Sequence, residues 1–235
     1  EMARWCFEQV VEALSSAAGS VEHAKARGNV AAVLAAMPDV SARNQALSTY
    51  TDILKSVPGD TYPVEHAEFL LSLGQAHRVQ MVESRLGTVR DAIAAFSAAA
   101  ELAASAGRHD LAVRGLVEAA ITYVELAVLD PETFDAAVTA FDRALDAVPA
   151  TTQPDQHAEL QLEYGQLWAN QIAQNNESAY TSALQHYEAA ITLGPTVTSP
   201  SQIAPALIEA PRLIVERDAP TQEKLNRAIE LSRLG

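Results

Sequence analysis

Apolar positions along the chain fall in steps of three and four, broken at intervals by proline and glycine. One set recurs: a small residue, an aromatic four later, a small or apolar residue three later, and proline five after that. It reads Ala46, Tyr50, Ile53, Pro58, and returns as Ala137, Phe141, Ala144, Pro149 and as Ala183, Tyr187, Ala190, Pro195. Between these stands Ala92, Phe96, Ala99, with Ala104 in place of the proline. The aromatics Tyr50, Phe96, Phe141 and Tyr187 are 46, 45 and 46 residues apart. Offsets of four and seven place these side chains on one face of a helix. The aromatic is expected to fill the space between neighbouring helices, and the small residues to let the helix approach. Proline just past the end stops the helix because it has no N–H to donate.

A second helix is predicted before each of these. Leu70, Leu73, Gly74 and His77 match Leu116, Ala119, Ala120 and Tyr123, and also Gln161, Tyr164, Gly165 and Trp168. Glycine or alanine at 74, 120 and 165 marks close helix contact. Pro63-Val64-Glu65-His66-Ala67-Glu68-Phe69 resembles Pro154-Asp155-Gln156-His157-Ala158-Glu159-Leu160, and Glu22-His23-Ala24 repeats its centre. The first repeat has two registers. Gly28 lies 46 residues before Gly74, but that alignment puts Arg27 at a buried position. Alignment on Glu-His-Ala instead sets Val30, Ala31 and Leu34 on the apolar face, and it is preferred because burying an unpaired charge is costly.

Signals at the breaks agree. Asp130-Pro131-Glu132 offers a cap, a proline in the first turn and an acid near a helix N-terminus. Thr88 with Asp91 resembles a capping box. Gly59-Asp60, Gly194-Pro195 and Ser199-Pro200 mark turns. The expectation is one all-α repeat domain over 1–235: a partial helix over 1–18, repeats over 21–58, 64–104, 109–149 and 155–195, and a degenerate capping pair over 201–235 that Pro205 and Pro211 interrupt.

The set small–aromatic–small–proline, preceded by Leu-Gly and an aromatic, resembles the tetratricopeptide repeat over about 21–195 and more weakly to the end. The usual period is about 34 residues and this one is near 45, so both helices or their turn are longer. This longer form is similar to repeats beside caspase-like peptidase domains and in bacterial signalling proteins. Leu73-Gly74-Gln75-Ala76 and Asp91-Ala92-Ile93-Ala94-Ala95-Phe96 carry that likeness. The resemblance implies an α-solenoid of antiparallel helix pairs in a right-handed superhelix, with about eleven helices. It also implies a non-catalytic scaffold that binds a protein or peptide segment in its concave groove. The alternative is a regulatory or sensor arm of a larger signalling protein, with a caspase-like peptidase domain elsewhere. The chain opens on Glu1, already within a helical pattern, and is read as a piece of something longer.

By the same resemblance, the first helix of each pair lines the groove. Counting from Ala67, Val113 and Ala158, the groove candidates are Glu68, Leu71, Gln75 and Arg78, then Arg114, Val117, Ile121 and Glu125, then Glu159, Leu162, Gln166 and Asn170. Some relatives clamp a C-terminal carboxylate with lysine, asparagine and arginine. Lys25 and Asn29 would suit only in the disfavoured Gly28 register. The later clamp positions hold Ser72 and Glu118, and Glu118 would repel a carboxylate.

Composition narrows the partners. Nearly half of the 235 residues are apolar, much of that alanine, and aromatics are 6%, which suits closely packed helices. A net charge of −14 opposes binding to nucleic acid and to anionic membranes. Its functional reading is a basic partner, its plainer one solubility. Cys6 is the lone cysteine, so neither an internal disulfide nor a cysteine zinc site is possible, and it is read as a small buried apolar residue. No apolar run approaches the roughly 20 residues that span a bilayer, and no signal peptide is visible. The expected location is cytoplasmic, and Asn176-Glu177-Ser178 is read as a chance glycosylation match.

Chemistry is not signalled. There is no Gly-x-x-x-x-Gly-Lys loop, no Gly-x-Gly-x-x-Gly, no His-Glu-x-x-His and no Asp-Asp-x-x-Asp cluster. His66 and His157, two repeats apart, stand too far from one another to share an ion and are expected to serve structure near helix starts. No catalytic residue, metal or cofactor is therefore assigned. Self-association through the last pair is a further expectation.

Overall fold

The computed structural model describes residues 20–80, 85–172, 177–216 and 222–232, together with Trp5, Gln9 and Glu12. The described residues are all-helical. Ten α-helices follow one another: α1 Val21–Ala35, α2 Val40–Ser56, α3 Pro63–Arg78, α4 Arg85–Ser105, α5 His109–Leu129, α6 Phe134–Ala147, α7 Pro154–Ala169, α8 Glu177–Thr192, α9 Ala204–Glu216 and α10 Gln222–Ser232. In number and order they match the ten helices expected after the partial one. Of the partial helix over 1–18, only Trp5, Gln9 and Glu12 are described, and each is helical. Cys6 and Asn176 lie outside the described residues. None of the described helices is long and apolar enough to cross a membrane.

Contacts gather into two compact units, Glu1–Thr122 and Tyr123–Gly235, the boundary falling within α5. In the first unit α1 packs on α2 and α3 on α4. In the second α7 packs on α8 and α9 on α10.

The recurrent face is the core. Ala46, Tyr50 and Ile53, Ala92, Phe96 and Ala99, Ala137, Phe141 and Ala144, and Ala183, Tyr187 and Ala190 are all buried. The small residues opposite them are a steric requirement. A Cβ on Gly74 would stand 2.6 Å from the Phe96 ring, and one on Gly165 would stand 2.6 Å from the Tyr187 ring. Gly115 sets α5 against the backbone of α4 itself, where a Cβ would stand 2.8 Å from the Phe96 carbonyl oxygen.

Two connections are near copies, 91 residues apart. Each preceding helix ends on a buried valine: Val57 has φ −120° and ψ 80°, Val148 φ −118° and ψ 83°. Proline follows, and its carbonyl accepts from Thr61 and Tyr62 in one loop and from Thr152 and Gln153 in the other. Pro63 and Pro154 then open α3 and α7 at the first turn, where a missing N–H costs nothing. One turn on, His66 Nδ1 lies 2.6 Å from the Val57 carbonyl and His157 Nδ1 2.6 Å from that of Val148. A carbonyl only accepts, so each histidine carries its proton on Nδ1 and satisfies a helix-end carbonyl that has no partner within its own helix. The histidines thus serve structure near helix starts, as expected.

Where Ala104 replaces the proline, α4 runs on to Ser105 and a glycine ends it. Gly107 has φ +72°. Its N–H bonds the Ala104 carbonyl at 3.1 Å, and the Arg108 N–H bonds that of Ala103 at 2.9 Å, the two bonds of a Schellman cap. Ser20 and Asp39 cap α1 and α2 by accepting from the His23 and Ala42 N–H groups.

Three sequence readings are corrected. Thr88 is not a cap: it lies inside α4, and its hydroxyl donates to the Arg85 carbonyl. Asp130 precedes a 3-10 turn, Pro131–Thr133, without a capping bond from its side chain. Pro205 and Pro211 do not break the last pair. Pro205 falls in the first turn of α9, where its ring is tolerated, and α9 continues through Pro211 to Glu216.

Burial decides the first register. Ala24, Ala26, Gly28 and Ala31 are buried in α1, as Ala67, Phe69, Leu71 and Gly74 are in α3, a shift of 43 residues and so the Glu-His-Ala alignment. A shift of 46 would pair buried Leu71 with Lys25, which is exposed.

Candidate functional site

In the first unit, the candidate face of α3 and α5 divides by depth. Burial in α3 falls at Ala67, Phe69, Leu71, Gly74 and Ala76, which are positions one, three, five, eight and ten of the count. The fifth position is therefore core. Leu71 is 2% exposed and packs with Ala67, Ala92 and Phe96, and Val117 is 5% exposed. Both leave the candidate set, because a side chain buried against the neighbouring helix has no surface to offer. The counting missed this because α3 presents more than one apolar stripe.

Glu68, Gln75, Arg78 and Ile121 are half-buried, and Arg114 is exposed. Gln75 and Arg78 converge on Glu118. The Arg78 guanidinium forms a hydrogen-bonded ion pair with Glu118 Oε2, and Gln75 Nε2 donates to Glu118 Oε1 at 3.4 Å. Arg78 is thus engaged within the protein. Glu118, one of the positions considered for a carboxylate clamp, is itself the carboxylate held. Lys25 is likewise committed, 3.7 Å from Glu65. Beside Arg78, His77 is half-buried, with its Nδ1 shielded from solvent and without a partner, and burial lowers its pKa against the opposing field of Asp91. Arg85 closes the end of α3 by donating to the Arg78 and Gln80 carbonyls.

In the second unit, Glu159 and Gln166 are exposed, and Glu125, Leu162 and Asn170 half-buried. Leu162 packs against the core of α8, α9 and α10. Gln166 donates to Asn170 Oδ1 at 2.9 Å and accepts from the Tyr187 hydroxyl at 3.4 Å, so it is oriented from both sides.

Next to these lies a cluster the sequence reading passed over. Tyr164 stacks on Phe141 at 4.8 Å and on His186 at 4.0 Å, and Trp168 meets Phe134 edge-on at 4.8 Å. The Tyr164 hydroxyl donates to Asp142 at 3.0 Å. Burial first, and then the Asp142 carboxylate, raise its pKa. Burial holds His186 down to about 4, so it is a neutral ring at ordinary pH. Its Nδ1 lies 2.7 Å from Gln161 Oε1, and Gln161 Nε2 lies 3.2 Å from His157 Nε2. The one legible signal was the four-residue spacing of His157 and Gln161 on one helix face.

Among the described residues no three His, Cys, Asp or Glu side chains group to hold a metal ion. What the surface offers is exposed carboxylates, amides and a guanidinium on a packed helical support.

No protein-family model matches the chain, and no curated protein matches its sequence. Among solved structures it is similar to BtubC (BKLC) from P. vanneervenii, with a TM-score of 0.63 and 14% identity over 97% of this chain and 90% of that one, a likeness of fold alone.

Proposed function

We propose that this chain is a tetratricopeptide-type interaction module that binds a segment of a partner protein without chemistry of its own, on the exposed polar positions of its first-of-pair helices. The observation that carries the reading is the repeated packing unit: glycine beneath an aromatic ring, at Gly74 with Phe96 and at Gly165 with Tyr187. Such packing holds successive helices at fixed spacing and leaves the same register positions outward in each repeat. The exposed candidates are Arg114 in the first unit and Glu159 and Gln166 in the second.

Charge narrows the partner. From Gly115 to Pro211 the sequence holds thirteen acidic residues and a single basic one, Arg143. A lysine- or arginine-rich segment is the complement, with electrostatics setting its rate of encounter and its specificity. The setting proposed is cytoplasmic.

The test starts from an affinity capture with the intact chain and measures the dissociation constant of the captured protein. Glu159→Lys and Gln166→Ala are expected to weaken binding tenfold or more, and raising salt from 0.05 to about 0.5 M to weaken it further as screening lengths shorten. Val40→Lys on α2 should leave binding unchanged. Full affinity in the Glu159 and Gln166 variants would assign binding to another face. Turnover of the captured partner would end the non-catalytic reading.

A further inference from the structure

His66 and His157 make the same bond to a preceding valine carbonyl, but among the described residues His157 alone is joined to a further side chain. Four residues on from His66 stands Leu70, whereas four on from His157 stands Gln161. The Gln161 amide lies between two imidazoles, 3.2 Å from His157 Nε2 through its nitrogen and 2.7 Å from His186 Nδ1 through its oxygen.

The proton positions follow from one end. The Val148 carbonyl can only accept, so His157 carries hydrogen on Nδ1 and, when neutral, a lone pair on Nε2. That lone pair accepts from the Gln161 amide N–H, which leaves Gln161 Oε1 to accept from His186 Nδ1–H. Both rings are therefore Nδ1–H tautomers, and every link has one donor and one acceptor.

We propose that these three side chains form a proton-triggered tautomer relay, in which protonation of His157 reverses the Gln161 amide and transfers the hydrogen of His186 from Nδ1 to Nε2. A protonated His157 has N–H at both positions, so Nε2–H would face the amide N–H. Two donors in contact leave both groups unsatisfied, which costs more than turning the amide about its last bond. After the turn, Gln161 Oε1 accepts from His157 Nε2–H, and the Gln161 nitrogen faces His186 Nδ1, which must now hold the lone pair. His186 keeps a single proton throughout, exchanged through solvent from Nδ1 to Nε2. The one proton added resides on His157.

The surroundings keep His186 from taking the added proton itself. Its ring is half-buried and stacked on Tyr164 at 4.0 Å, and desolvation outweighs the field of Asp142, the charged group of α6 that reaches it. Asp155, the acid two residues before His157, has its carboxylate occupied by the Thr198 N–H and hydroxyl, both at 2.6 Å. Through the relay, a proton bound at the start of α7 is registered on α8, at the ring that stacks against Tyr164.

Nitrogen-15 NMR of the histidine-labelled chain across a pH titration tests this, because protonated and lone-pair ring nitrogens have well-separated shifts. Expected is a change of His186 Nδ1 from hydrogen-bearing to lone-pair type with the same midpoint as His157 protonation. In Gln161→Leu that change should be absent. The relay is overturned if His186 keeps its hydrogen on Nδ1 while His157 titrates, or if the switch persists in Gln161→Leu. Should that variant not fold, coincidence or separation of the two midpoints in the native chain decides alone. A merely structural glutamine would hold both rings in place without coupling their tautomers.

Discussion

A single methyl group separates the repeat from a steric clash. The rings of Phe96 and Tyr187, both buried, occupy the space where Gly74 and Gly165 would carry Cβ. Alanine at 74 gains helix propensity of about 1 kcal/mol but overpacks a ring that has no room to retreat, at a cost of roughly 1–3 kcal/mol. The crowding wins, so Gly74→Ala is expected to lower the urea midpoint of the first unit, and Gly165→Ala that of the second. A gain in stability would show that the rings yield freely. At His186 the residue-scale outcome depends on pH. Its pKa is about 4 in the folded chain against 6.5 for the ordinary side chain, so between these values the unfolded chain binds more protons. The contribution to stability is whole above pH 6.5 and is lost as pH falls toward 4. Comparing urea unfolding at pH 7 and pH 5, His186→Phe, which preserves the stack, should lose less stability on acidification than the native chain.

At the scale of the element, helix ends were more legible than helix starts. Proline at 58 and 149 marked the ends of α2 and α6 because a residue without an N–H cannot extend a helix. Where alanine stands at 104, α4 runs on to Ser105, and its Schellman cap on Gly107 is visible only in the backbone. Starts were less plain. Thr88 has the spacing of a cap, but α4 had already begun at Arg85, and a hydroxyl serves an internal carbonyl as readily as a terminal amide. The histidine latches belong to this scale too, since each ties a new helix to the end of the one before. His66→Ala and His157→Ala should each cost about 1 kcal/mol, the net worth of a hydrogen bond to a half-buried carbonyl. The first should act on the first unit and the second on the other. Hydrogen exchange of the flanking amides would check this, and equal protection with and without the imidazole would dismiss the latch.

For the whole molecule, charge is distributed unevenly. The stretch 115–211 has one base for thirteen acids, whereas 1–114 holds ten bases for thirteen. Self-repulsion in the acidic stretch opposes its compact state, and salt screens it. Adding about 0.3 M sodium chloride is therefore expected to raise protection against exchange more in the second unit than in the first. An equal rise would mean that local pairing, such as Arg227 with Glu188 and Glu230, already offsets the repulsion.

The sequence by itself determined the helices and the buried aromatic of each repeat. Those follow from periodicity, from proline's missing donor and from the volume of side chains at fixed offsets, all of which act along the chain. It did not determine which of the counted positions stay at the surface. Leu71 shares the helical face of Gln75 by counting, and Val117 that of Ile121, but both were lost to the core, and Arg78 was drawn into a pair with Glu118, 40 residues away. Likewise His157, Gln161 and His186 meet only because α7 lies against α8. Burial and ion pairing between distant residues depend on which helices touch and at what depth, and only the tertiary structure decided that.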